Sequence, residues 1–306
     1  MFSVVAHRKI WYSISGTLIA ASVLAMALWQ FNFGIDFVGG SLMELQFTGT
    51  VPSAASLEQE MTTLGARRVQ LQSAGDRAVI IRTETLSPEL HQTIVRAFGE
   101  RAEELRFETI GPSIGRELAR KTAIGVALAL TLILCYVAWM FRKAGVQISS
   151  WAYGLVTLVV MVHDVSIPTG IFAALGHFSG VEIGAPFIAA VLTILGYSIS
   201  DTIIVLDRIR ENVGTARGED FAQIVERSVH QTFARSMYTT FTTILALFAV
   251  IIFGSASVRY FALALAIGIG VGAYSSIFIA APLLVTWQQR RVARSRSSTA
   301  SGARAR

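Results

Sequence analysis

Six long apolar runs dictate most of what this chain can become. They cover roughly residues 10–30, 120–141, 151–175, 184–206, 237–254 and 260–286. A hydrocarbon core of about 30 Å is crossed by about 20 apolar residues in a helix. Inside it only helices or closed barrels satisfy every backbone N–H and C=O. Runs of this length therefore predict an α-helical membrane protein with six transmembrane helices. Composition agrees: 53% of the residues are hydrophobic and only 15% are charged, against about 25% charged in soluble chains. "HRK" precedes the first run, but that run is long for a signal-peptide h-region and no A-x-A-like cleavage site follows closely. It reads as an uncleaved signal-anchor.

Lys and Arg near the span ends predict orientation. Arg8 and Lys9 precede the first span, and Arg142 and Lys143 follow the second. Arg208, Arg210, Arg217, Arg227 and Arg235 fall between spans four and five, and Arg290, Arg291, Arg294 and Arg296 follow the sixth. The short loop "GHFSGVE" has neither Lys nor Arg, and "GSASVR" has only Arg259. Both termini are expected in the cytoplasm. The net charge of +6 lies at span ends and in the tail, not as a stripe on one folded surface, which argues against nucleic-acid binding. The Ser/Arg-rich tail, 288–306, is expected to be disordered with some affinity for anionic lipid. Cys135 is the only cysteine and lies within an apolar run, so no internal disulfide is available.

The chain divides into residues 1–30 (N-terminus and first span), 31–118, 119–287 (spans two to six, with a cytoplasmic loop at about 207–236) and 288–306. Only 31–118 is large enough for a separate domain. "SLMELQF" alternates as a strand does. "SAASLEQEMTTLG" has Ser53 at an N-cap and Gly65 just past the end, so it reads as a helix. "RRVQLQS" and "RAVIIRTE", joined through "AGD", read as a hairpin. "SPELHQTIVRAFGERAEE" is a second helix with Ser87 as cap and Pro88 at its first position, and "LRFETIG" closes the domain as a strand. The order β-α-β-β-α-β is the ferredoxin-like pattern. It hosts many functions and by itself allows a rigid extracytoplasmic cap as readily as a moving part.

Ionisable residues inside or bordering apolar runs are the candidate functional residues, because charge in hydrocarbon is costly and usually marks a pathway. They are Asp201 in span four, Asp164 beside His163 in span three, and Arg235 at the entrance to span five. Tyr197 and Ser198 precede Asp201 at i−4 and i−3 and share its helix face. If Arg235 approaches and leaves Asp201, the proton affinity of the carboxylate changes, which is what a proton relay requires. The bland alternative for Asp201 is a structural hydrogen bond to a neighbouring helix. The hydroxyls of "TTFTT" suit water wires or bonds back to their own helix. Pro168 is expected to kink span three, and Gly268 with Gly272 makes a small-xxx-small face in span six. His163 and Asp164 are expected to point to different sides of their helix, and no metal site is expected.

"FNFGIDFVGGSLMELQF" after the first span, "VHD" in span three, "GYSISDTIIVLDRIREN" in span four and "ARSMYTTFTT" entering span five carry a resemblance. Together they resemble the SecD/SecF family of protein-export membrane proteins, which is similar to the resistance-nodulation-division transporters. Six spans with one external domain fit the smaller member of that family. The resemblance implies a multi-pass protein of the bacterial inner membrane that pairs with SecD, and often YajC, beside the SecYEG translocon. It implies use of the proton-motive force to move the external domain and help complete export of unfolded preproteins, with the proton as coupling ion and no other cofactor. The proton pathway would map to Asp201 and Arg235, with Asp164 a weaker candidate. The motif residues would be Asp36, Gly39, Gly40, Gly196, Tyr197 and Ser198. The implied role is transport, not catalysis. An intramembrane aspartyl protease is disfavoured because Ser-Ile-Ser precedes Asp201 where such enzymes carry G-x-G-D. A proton-coupled transporter of small molecules or lipids is the alternative within transport.

Overall fold

The computed structural model describes residues 3–75, 77–143, 149–216, 218–254 and 256–304. Among them, six helices are long and apolar enough to cross a membrane. They are built from α1 (Arg8–Trp29), α5 (Pro112–Met140), α6 (Ser150–Ser179), α7 (Ala185–Thr215), α8 (Phe221–Phe253) and a final helix in two parts, α9 (Ala256–Ser275) and α10 (Ala281–Arg304). A π-helical turn, Ser276–Ala280, joins the two parts. Half of the apolar window of α6 and of α7 is buried, and 61% of the last helix, against 6% for α5 and 11% for α8. The first three therefore form the core of the bundle, and α5 and α8 present most of their surface outward.

Between α1 and α5 lies a small domain. Its elements are the short α2 (Ile35–Val38), β1 (Gly40–Phe47), α3 (Ala54–Thr63), β2 (Gln70–Ser73), β3 (Ala78–Thr83), α4 (Pro88–Phe98) and β4 (Ala102–Ile110). The strands pair antiparallel in the order β2-β3-β1-β4, the arrangement a ferredoxin-like chain order requires. Alternation sets the two faces. Met43, Leu45, Phe47, Val79 and Ile81 meet Leu57, Met61, Ile94 and Phe98 from the two helices in one buried cluster. The opposite face carries Leu42, Ile80 and Arg82 toward the bundle. The expected caps are present: Ser53 Oγ accepts from Ser56 N and Ser87 Oγ from Leu90 N, each at 3.2 Å, and Pro88 opens α4. Asp76, part of the expected hairpin turn, lies outside the described residues.

The helices outrun the apolar stretches. The segment expected as a loop at about 207–236 is mostly helical, for α7 runs on to Thr215 and α8 starts at Phe221. Val205, Leu206 and Ile209 on α7 and Phe221, Val225 and Val229 on α8 are buried in one cluster, so a 3.6-residue apolar stripe continues past the hydrocarbon with charges on its outer side. Those charges pair locally: Asp207 with Arg210 at 2.7 Å and Arg208 with Glu211 at 2.8 Å. The tail likewise continues as helix to Arg304 instead of ending near Gln289. Arg and Ala are strong helix formers, and no proline intervenes. At this far end of the bundle residues 3–5 fold onto α8, where Glu226 accepts from Ser3 Oγ, Val4 N and Val5 N at 2.8–2.9 Å.

Close backbone approach is achieved with glycine. A Cβ on Gly268 would meet Ile194 of α7 at 2.2 Å, and one on Gly272 would meet Ser198 at 3.1 Å. The expected small-residue face is thus the α9–α7 contact. Gly170 on α6 does the same toward α1, where a Cβ would lie 2.5 Å from Ser22 Cα. Replacing Gly170 with alanine is expected to destabilise the bundle by about 1–3 kcal/mol through overpacking. Gly16→Ala, with nothing within 4 Å, should be near neutral; thermal unfolding of the two variants in detergent compares them.

Candidate functional site

Asp201 sits on α7 with 5% of its surface exposed, and its Oδ2 accepts a hydrogen bond from Ser236 Oγ of α8 at 2.7 Å. Two further buried hydroxyls flank the pair, Thr202 on α7 and Thr240 one turn beyond Ser236, and neither has a hydrogen-bond partner. Buried polar groups are normally satisfied, so these two are exceptions beside Asp201. The other hydroxyls of the stretch bond back to their own helix, Thr239 to the Arg235 carbonyl and Thr242 to that of Tyr238. Thr243 does so as well and also meets Tyr197 OH at 3.3 Å. Arg235 is exposed. Among the described residues no ion pair within 4 Å joins it to Asp201. Gly196 faces open space.

One turn up α7, a second buried carboxylate ties helices together. Asp164 of α6 is fully buried. It takes a short hydrogen bond from Ser198 Oγ of α7, a second from Ser275 Oγ of α9 at 2.8 Å, and shares a third with His163 Nδ1 at 2.8 Å. The adjacent His163 does not diverge from Asp164 as expected. Imidazole Nδ1 lies close to the backbone and reaches the neighbouring carboxylate despite the 100° step between successive residues. His163 Nε2 is buried without a partner, and the ring stacks near Tyr274. Among the described residues no group of His, Cys, Asp or Glu suited to a metal surrounds them. Pro168 lies inside α6. Its missing N–H leaves the Asp164 carbonyl without its helical donor. The π-turn starting at Ser276, directly after Ser275, adds a second irregularity of the kind often found at functional sites.

The motif after the first span does its work at the domain end of the bundle. Gly39 ends α2 at φ +79°, and a Cβ there would lie 2.7 Å from Pro112 Cα, where α5 begins. Gly40 opens β1 at φ +138°, with Thr83 O 2.7 Å from where its Cβ would be. Only glycine fits both backbone and space. Asp36 reaches across to α7: its Oδ2 accepts from Ala185 N at 2.7 Å, filling one of the donors that a helix start leaves open. Beside it, Arg82 Nε of β3 lies 2.6 Å from Glu182 Oε1, with 12% and 13% of the side chains exposed. This is a contact of charges, since the Nε–H is not aimed as a hydrogen bond. Burial pushes the Glu182 carboxyl above its usual range, Arg82 opposes that, and the nearby Asp36 charge adds to it.

The structure therefore separates the residues the sequence grouped. Asp201 and Ser236 form one contact, with Arg235 exposed one residue before Ser236, and Asp164 with Ser198 forms another. Asp36, Gly39 and Gly40 act at the domain end. Sequence reasoning missed Ser236, Ser275, Arg82 and Glu182. Ser236 and Ser275 were visible only as hydroxyls one residue after Arg235 and three after Gly272. Glu182 lay in a loop noted for its lack of Lys and Arg.

Residues 90–290 match the family described as protein export membrane protein SecD/SecF, C-terminal, and residues 30–51 match the SecD/SecF GG motif. The chain belongs to the SecD/SecF family. The protein translocase subunit SecF of Thermobaculum terrenum is 38% identical over 304 residues, covering 95% of each chain. The crystal structure of SecDF from Thermus thermophilus, a translocon-associated membrane protein, superposes with a TM-score of 0.83 at 34% identity. It covers 94% of this chain but 39% of the longer SecDF. SecDF in a super-membrane-facing form superposes with a TM-score of 0.70. In extent the chain thus matches a SecF subunit, and SecDF carries further chain beyond the matched part. The stretch matched to the GG motif, residues 30–51, contains the Asp36–Gly40 segment that joins the domain to α5 and α7.

Infrared titration of the carboxyls is expected to place Glu182 above the ordinary value of 4.5, and Asp36→Asn is expected to bring it down by removing a like charge. The sign follows for stability. A raised carboxyl contributes most below the ordinary value, and that contribution is lost as pH rises through the raised one. The titration should be read against Arg106, Glu108 and Arg259, which line the same cavity.

Proposed function

We propose that the chain is the SecF-type subunit of a SecD–SecF export auxiliary driven by the proton-motive force. It lies in the bacterial inner membrane with both termini in the cytoplasm and the small domain outside. The arginines Arg208, Arg210 and Arg227 at the far end of the bundle support this orientation. SecD is its partner, as the longer SecDF relative suggests. SecYEG, and YajC with it, is the machinery it serves, and unfolded preprotein is its cargo. The proton is the coupling ion; the subunit moves cargo and catalyses no covalent change.

The observation that carries this reading is Asp201, 5% exposed in an apolar span, held by a single serine hydroxyl and not by an ion pair. At the centre of a spanning helix a charged carboxylate costs about 2.5–3.5 kcal/mol on insertion scales, and less toward either end. One charge crossing the membrane potential supplies about 2.3 kcal/mol per 100 mV. The two are of the same size, so a proton arriving at or leaving Asp201 is enough to bias two arrangements of α7 and α8. While Asp201 is ionised, Ser236 Oγ donates to it and the Arg235 charge is drawn toward it. Once the carboxyl is protonated, Arg235 has nothing to neutralise and the helices repack. The unpartnered hydroxyls of Thr202 and Thr240 offer positions for a proton-carrying water. Asp164, with His163, is a second proton-holding site on the other side of α7.

Asp201→Asn keeps size and hydrogen bonding but cannot ionise. Preprotein export in cells carrying it is expected to fall by up to roughly fifty-fold, the equivalent of about 2.3 kcal/mol of drive, with normal membrane level and SecD association. Export at the parental rate would sink the relay reading. Asp164→Asn retains acceptors for Ser198 and Ser275 and should lower export less than Asp201→Asn does; a larger loss at Asp164, by the same assay, would move the principal proton site there.

A further inference from the structure

The turn between α6 and α7 is fastened to the small domain by three different kinds of contact. Backbone groups pair first: Ile183 N donates to Asn32 O at 2.8 Å, Gly34 N donates to Ile183 O at 3.0 Å, and Phe33 bridges Ile183 in parallel. The Asp36 carboxylate then caps the first N–H of α7 at 2.7 Å, so close to Gly184 that a Cβ there would lie 2.6 Å from it. Finally the sheet itself reaches down. Arg82 of β3 meets Glu182, and Gln72 of β2 accepts from Arg82 Nη2 at 2.9 Å while donating to Ser179 O at 3.3 Å.

We infer that Asp36, Arg82 and Glu182 form a clasp that transmits displacement of α7 to the small domain, and that they are positioning residues for export. This rests on the reading of Asp201 as the driven site. Ala185 and Asp201 belong to one unbroken helix, about 24 Å apart along its axis at 1.5 Å per residue. A helix of that length moves as a rod. A shift of Asp201 against Ser236 therefore appears at Ala185, where Asp36 and Glu182 hold. The clasp grips the sheet on the face opposite the α3–α4 core, so a pull on Arg82 moves the sheet as a unit without opening its core. Next to the clasp lies a cavity of about 400 Å³, bordered by Ile80, Arg82 and Glu108 from the sheet and by Phe172, Glu182 and Phe187 from the bundle. It leaves the domain room to swing toward or away from α7. The domain also meets α5 closely where Gly39 passes Pro112 and Gly115 passes Phe37, and that approach serves as the pivot.

The test uses the full chain with SecD in cells, in three steps. Arg82→Glu, which sets like charges against each other, is expected to lower preprotein export several-fold at normal membrane level. Arg82→Glu combined with Glu182→Arg is expected to restore most of it. Asp36→Asn, which still accepts from Ala185 N, should keep export, whereas Asp36→Ala should lose it. Spin labels at Glu58→Cys on α3 and Leu128→Cys on α5, in a Cys135→Ser background, read the position of the domain. Asp201→Asn is expected to shift that distance in the parent, to leave it unshifted in Arg82→Glu, and to shift it again in the charge-swapped pair. The clasp is overturned if Arg82→Glu exports normally, if the swap restores neither export nor the shift, or if these variants fail to accumulate, which would make the contact a folding element. Should Asp201→Asn abolish export while the distance stays put in the parent, the clasp alone falls. Should Asp201→Asn export normally, the relay reading falls, and the charge swap still decides whether the clasp matters.

Discussion

A carboxylate with no access to water holds the centre of this bundle. Asp164 accepts from Ser198 on α7 and Ser275 on α9 and shares a hydrogen bond with its own neighbour His163. In hydrocarbon there is no solvent to take the place of a lost partner, so each donor is bound to its position. The contact fixes the rotation of α6, α7 and α9 about their axes, and it is reached only because Gly272 lets α9 approach Ser198 closely. Everything else on α7 follows from that rotation, including which way Asp201 faces.

With Asp164 on one side of α7, the adjoining part of its face turns Asp201 to α8 and Ser236. The two polar clusters therefore share one helix but different neighbours. α6 and α9 supply the fixed side: they are heavily buried and cross-linked through Asp164. α8 supplies the looser side, for most of its apolar window is not buried and it meets Asp201 through a single hydroxyl. A change of charge at Asp201 is best accommodated by α7 and α8 sliding against one another, with the Asp164 cluster holding the rotation of α7 about its axis. The π-turn after Ser275 and the missing amide of Pro168 place irregular backbone beside that cluster, where helix geometry is easiest to alter.

The helices and the ferredoxin-like order were legible because each rests on local chemistry. Long apolar runs have no other soluble or membrane outcome, and the Ser53, Ser87 and Pro88 caps are decided within a few residues of chain. Helix ends were less legible. The stretch after Asp201 is as charged as a loop, yet Val205, Leu206 and Ile209 continue the buried stripe into water. Of the candidate site, Asp201 and Asp164 stood out because a carboxylate inside an apolar run is rare, and Asp36 only through the resemblance of the motif that holds it. Their partners did not, since serines are common in spans and Glu182 carries no local signal of being paired.

The sequence alone determined that the chain crosses a membrane six times, carries a small α/β domain after the first span, and buries carboxylates at Asp164 and Asp201. Those outcomes follow from hydrocarbon thickness, strand alternation and the cost of charge, all of which act over short stretches of chain. Only the tertiary structure decided that Ser236 and not Ser198 holds Asp201, that Ser198 belongs to Asp164, and that Arg82 meets Glu182 a hundred residues along the chain. Such pairings depend on helix rotation and on where the domain rests on the bundle. Those are set by the summed packing of many residues such as Gly170, Gly268 and Gly272, and no local pattern encodes the sum.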